Sequence, residues 1–173
     1  MNHFRKVATV ALLVFALGTP ACDSDTSGPR DDAARVSDLA VDVIDGYISA
    51  NLMPIVPPDP IACQLTLRIT NTNSKHGLSG LSIPSAIVHL SKNGGDLGGI
   101  RFETVWDGSI AASEVDTVIV TKIEESQEIF VPPCRDDVYL VVEIVRTLLE
   151  VKHVTTPTYV FSCPVANATD ISR

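Results

Sequence analysis

The chain has 173 residues, thirteen of them basic and twenty-one acidic, with abundant Val, Ile, Leu and Thr, two Met and four Cys. A net charge of −8 excludes nucleic acid and an anionic membrane face as charge-selected partners, because both are held by basic patches. The length suits one domain with additional terminal segments.

Arg5 and Lys6 form a short positive region, followed by the apolar run Val7–Leu17 and then Thr19-Pro20-Ala21-Cys22. Eleven residues at about 1.5 Å each cannot cross a hydrocarbon core roughly 30 Å thick; the length is that of a secretory signal. A cysteine directly after such a run resembles the lipobox of bacterial lipoproteins. That resemblance implies residues 1–21 as signal peptide, diacylation of the Cys22 thiol, cleavage before it, and attachment of the mature chain to the inner or outer membrane of a cell envelope. The chain departs from the family pattern at Thr19, where Leu, Val or Ile is usual. Two alternatives stay open: cleavage near Ala21 with a free Cys22, and an uncleaved anchor. Loss of the signal leaves eleven basic residues against twenty-one acidic ones, a net charge of −10.

Residues 22–35 are small, polar and acidic and bury too little apolar surface to offset the entropy of ordering, so they read as a flexible tether. Val36–Tyr47 is ambiguous. Val36, Leu39, Val43 and Tyr47 share a helical face, whereas Leu39, Val41 and Val43 also alternate; Gly46 and the β-branched residues favour an edge strand. Pro54, Pro57, Pro58 and Pro60 force an extended crossing.

Gln64–Thr70 alternates without a fault, with Leu65, Leu67 and Ile69 inward. Asn71-Thr72-Asn73-Ser74-Lys75-His76-Gly77 is turn chemistry. This strand and turn resemble the stress-associated WHy and LEA-type-2 sandwich domains, which carry Asn-Pro-Asn where this chain has Asn-Thr-Asn. Ala86, Val88 and Leu90 alternate with Ser85, Ile87 and His89, and Asn93-Gly94-Gly95-Asp96 marks a hairpin. Ile100, Phe102, Thr104 and Trp106 form one face of the next strand. Val115–Ile123 is another, followed by Glu124-Glu125. Val138–Val145, nearly all apolar, reads as a central strand covered on both faces, which obliges Glu143 to reach a rim or find a partner. Leu148–Val154 and Thr158–Cys163 complete one or two last strands, broken at Thr155-Thr156-Pro157, and residues 166–173 form a frayed tail.

About seven short strands with no convincing helix predict an all-β, antiparallel two-sheet sandwich over residues 36–165, of immunoglobulin or fibronectin type III kind, with a closed barrel as the alternative. In seven alternating strands Cys63 opens the second, Cys134 precedes the sixth and Cys163 ends the seventh, so all three thiols gather at one pole. Cys134 and Cys163 flank a hairpin with its midpoint near Leu148-Leu149, which predicts a Cys134–Cys163 disulfide and leaves Cys63 as a buried small hydrophobe or, less favourably, a corner of a metal site.

No Cys-x-x-Cys or His-x₃-His spacing points to a metal, and no cofactor or catalytic residue is assigned. Gly94–Gly99 lacks the Lys-Ser/Thr and the helix that a phosphate loop requires. Asp136-Asp137 and Glu124-Glu125 carry no calcium-loop spacing, and no nucleophile elbow is present. Asn167-Ala168-Thr169 matches a glycosylation sequon. The expected function is an envelope lipoprotein with a non-catalytic interaction or structural module, held to the membrane by the lipid on Cys22 and facing an envelope protein or a small molecule. The alternative is a secreted or periplasmic enzyme with a loop-assembled site.

Overall fold

The computed structural model describes residues 33–51, 60–123 and 129–163. The signal segment, Cys22, the tether up to residue 32, Pro54, Pro57, Pro58, Glu124-Glu125 and residues 164–173 with the sequon lie outside the described residues. By contacts the chain divides into residues 1–31 and 32–173, and every described strand belongs to the second unit.

A 3-10 turn at Val36–Asp38 leads into eight strands: β1 (Leu39–Ala50), β2 (Ile61–Asn71), β3 (Ser85–Leu90), β4 (Asp96–Glu103), β5 (Val115–Lys122), β6 (Asp137–Thr147), β7 (Glu150–Thr155) and β8 (Tyr159–Val160). Every strand pair is antiparallel. β1-β2-β5 form one layer and β4-β3-β6-β7 the other, with β8 pairing β6. The fold is the all-β antiparallel sandwich that the alternation implies, with one strand more than the seven expected. In the constant-type immunoglobulin arrangement the fourth strand joins the sheet of the first. Here β4 pairs β3 along its length and meets β5 only through Phe102↔Lys122 and Glu103↔Thr121. On the other side, Ser162 runs parallel to Ser49, with Ala50 N–H donating to Ser162 O at 2.9 Å. Two narrow seams therefore bring the sandwich close to barrel closure.

The core lies between the inner faces. Leu65, Leu67 and Ile69 of β2 meet Val138, Leu140, Val142 and Ile144 of β6, Ala86 and Val88 of β3, and Phe161, all buried. β6 alternates rather than being covered twice. Its outward residues Tyr139, Val141, Glu143 and Val145 are half-buried, which corrects the two-sided expectation; the strand is central in its sheet, but among the described residues no third layer lies above it. Glu143 finds its partner on the outward face, accepting from Ser85 Oγ at 2.8 Å and lying 3.4 Å from His153 Nε2.

β1 resolves the helix-or-strand ambiguity. Its register shifts between Val43 and Asp45, and a bulge residue changes which parity faces inward. Leu39 is buried before the shift, and Ile48 and Ala50 after it, so no single period runs through the segment. The same device shifts β4 between its pairings with Val88 and His89, so that Leu97 is buried together with Ile100 and Phe102. β4 ends at Glu103, not at Trp106. Trp106 is half-buried against the core beyond the strand, and its Nε1 has no hydrogen-bond partner among the described residues. Gly94, at φ +66°, turns the β3–β4 hairpin, where Gly95 N–H donates to Asn93 Oδ1 at 3.0 Å.

Candidate functional site

Antiparallel order brings the start of β1, the end of β2, the start of β5 and the β6–β7 turn to one pole. The loops there are tied together by Asn71, which is fully buried. Its Nδ2 donates to His76 O and to Ala111 O, both at 2.9 Å, and its Oδ1 accepts from Asn73 N–H at 3.0 Å. Asn73 continues the network: its Oδ1 accepts from Lys75 N–H and His76 N–H, and its Nδ2 donates to Asp38 Oδ2. The Asn-Thr-Asn turn singled out in the sequence is thus a loop clamp. Asn71→Ala is expected to strand two backbone carbonyls and cost about 2–3 kcal/mol, read as a lowered denaturant midpoint with an unchanged slope; a loss below about 0.5 kcal/mol would contradict the clamp.

Arg146 is the second tie. Its Nη1 donates to Ala34 O at 3.0 Å and lies 3.5 Å from Glu150 Oε2, while its Nε donates to Ser79 O at 3.2 Å. One guanidinium therefore joins the incoming chain, the β2–β3 loop and the base of the β6–β7 hairpin. The tip of that hairpin is Leu148-Leu149, each 96% exposed; β7 begins only at Glu150, so both leucines form the turn and not the start of a strand.

Among the described residues, open clefts at this pole include a smaller and a larger one. The smaller, about 360 Å³, is lined by Asp38, Thr72, Asn73, Ser74 and Lys75. The Arg35 backbone N–H and the Asn73 side chain hold the Asp38 carboxyl below its usual range. Its contribution to stability is therefore present above the ordinary carboxylate pKa and is lost as pH falls through the lowered folded value. The larger cleft, about 550 Å³, includes Asp107 and Glu114, whose carboxylates accept from the Ser109 and Ala111 N–H groups. These carboxylates serve the turns that carry them.

At the opposite pole Cys134 and Cys163 form a disulfide with Cα atoms 5.6 Å apart. Cys63 is free and buried, and burial pushes its thiol up to about 12, against a smaller opposing effect of Lys122. An un-ionised, enclosed thiol does not react: native Cys22→Ser protein, in which Cys63 is the one thiol outside the disulfide, is expected to show no titratable thiol over hours and one equivalent after unfolding. Rapid modification of the folded chain would contradict this. Tyr159, which pattern reading did not single out, places its hydroxyl over Gly46, where a Cβ would crowd it. Burial, then Cys63 and Asp45, raise its pKa.

The remaining candidates stay apart. Asp136 pairs with Lys92 at 3.0 Å and Asp137 opens β6. His89 is half-buried and stacked on Tyr139 at 5.1 Å. Among the described residues no three of His, Cys, Asp and Glu converge as a metal site. Apolar side chains outside the core also lie on the sheet β1-β2-β5: Ile119 of β5, paired with Thr66, and Ile44 and Tyr47 of β1, Ile44 at the bulge before Asp45, are each about half exposed.

No family model and no curated protein matches the chain. Among solved structures it is similar to the crystal structure of the periplasmic chaperone SfaE, at 13% identity and a TM-score of 0.33, over 72% of this chain and 56% of that one. The chain thus spans little more than half the length of the chaperone it aligns with.

Proposed function

We propose that the chain is an envelope lipoprotein, acylated at Cys22, whose sandwich serves as a non-catalytic interaction module. The observation that carries the reading is where apolar and polar groups are spent. Ile44, Tyr47 and Ile119 on one sheet and Leu148-Leu149 at one pole are exposed without any need of the core, while the carboxylates in the clefts are engaged by their own loops. Apolar surface displayed in this way marks contact sites, whereas a reactive centre needs titratable groups poised for proton transfer. The disulfide adds that the domain suits an oxidising compartment, as export through residues 1–21 requires.

Two measurements test the reading. Metabolic labelling with an alkyne fatty acid in a bacterial host is expected to mark the parent chain and not Cys22→Ser; equal labelling, or none, sinks the anchor. A photo-crosslinking residue at Ile119 is expected to trap a defined envelope component, and the same residue at exposed Lys92 is not. Identical product patterns at the two positions would sink the interaction module.

A further inference from the structure

We propose that Leu148 and Leu149, at the tip of the β6–β7 hairpin, enter the lipid interface of the membrane that carries Cys22, so that the domain stands on this pole. The inference rests on the anchored reading above. Neither leucine is required by the fold. Both are 96% exposed, so the core does not use them. Turn chemistry does not ask for them either. Thr147↔Glu150 closes a two-residue loop, and such loops favour Asn-Gly or Gly-containing pairs with positive φ. Neither leucine has a positive φ, and the ladder takes up the difference in the register shift between Val145 and Thr147. Two adjacent bare leucines, with no folding reason for their presence, point to an apolar phase outside the domain.

The choice of a bilayer follows from where the chain comes in. Arg146, at the base of this hairpin, donates to Ala34 O at 3.0 Å, so the tip and the incoming chain share a pole. Twelve residue steps separate Cys22 from Ala34, a span of at most about 40 Å. An anchor of that length holds the tip at a high effective concentration near the lipid, so two leucines need supply little affinity of their own. An acidic domain is not drawn to anionic headgroups, and the contact is accordingly apolar. Glu150, the residue after Leu149, is paired with Arg146 at 3.5 Å, which limits its repulsion.

The experiment uses the full lipidated chain in vesicles of phosphatidylethanolamine and phosphatidylglycerol, with Leu149→Trp read against the parent, whose one tryptophan is Trp106. The added emission is expected to move to shorter wavelength and to lose about half its intensity to lipids brominated at the depth of roughly 5–10 Å that interfacial side chains reach. Ser91→Trp, at the opposite pole, is expected to stay solvent-like. If the protein floats with the vesicles but the Leu149→Trp emission remains solvent-like and unquenched, the proposal is overturned while the anchor stands. A protein that does not float and carries an unmodified Cys22 by mass overturns both. A blue shift that depends on protein concentration and is blind to bromine means that a second copy covers the tip, and overturns the proposal alone.

Discussion

Replacement of Gly108 by alanine is expected to cost the domain about 4 kcal/mol, combining the strain of a left-handed residue with an overlap against backbone. Gly108 has φ +76°, and a Cβ there would overlap the carbonyl oxygen of Leu81. The obstacle is main chain and cannot rotate aside. Gly108 O also accepts from Leu81 N–H at 2.9 Å, and the neighbouring pair Leu78 and Ile110 exchange two hydrogen bonds at 2.8 and 2.9 Å. Relief of the overlap therefore means pulling the loop after β4 away from the β2–β3 loop, at the pole that carries the clefts. Gly80 supplies the control. It too has a positive φ, +71°, but nothing lies within 4 Å of a Cβ built on it, so Gly80→Ala is expected to cost only about 1 kcal/mol. Denaturant unfolding of both variants checks the difference, and equal losses would show that crowding at Gly108 is not the cause.

Removal of the disulfide is the second large effect. Cys134 and Cys163 are 29 residues apart, and a cross-link of that span stabilises by about 3.5 kcal/mol in the chain-entropy model. The bridge secures more than loop entropy alone. Between its ends, Arg135 N–H donates to Phe161 O and Phe161 N–H to Asp136 O, both at 2.8 Å, and Phe161 is among the largest fully buried side chains. Those contacts do not involve the sulfurs, so the double variant Cys134→Ser/Cys163→Ser is expected to fold with a lower midpoint. Reductant is expected to shift the parent to the same midpoint and to leave the variant unmoved. A parent indifferent to reductant would deny the bond its role. Cys63→Ala, which removes the buried thiol but no cross-link, separates the two chemistries.

Where one face of a strand is buried without interruption, the sequence is legible. Gln64–Thr70 alternates and β2 follows it, because burial of every second residue is a local property of an extended chain. The hairpin at Asn93–Asp96 is legible for the same reason, since its glycines and asparagine act on their own backbone. The Cys134–Cys163 pairing needed strand parity, which gathers three thiols at one pole, and a direct hairpin near Leu148-Leu149, which sets two of them opposite each other. The candidate site was far less legible. Asn71 looks like any turn asparagine until His76 and Ala111 arrive beside it, the latter from forty positions away. Arg146 reads as a charge at a strand end until Ala34, 112 positions earlier, supplies its acceptor. Leu148 and Leu149 were legible as the midpoint of a hairpin, but their apolar character also assigned them to the strand that follows, because it does not report exposure.

The sequence by itself determined a β-rich chain, most of its inward residues and the parity that brings two thiols together; each is a matter of local composition or of period two. Tertiary structure alone decided which sheet takes β4, where bulges reverse the inward parity of β1 and β4, and which side chains remain uncovered at the pole where the chain comes in. Those outcomes depend on pairing and packing between segments far apart along the chain, and a local pattern carries no record of the partner a residue will meet.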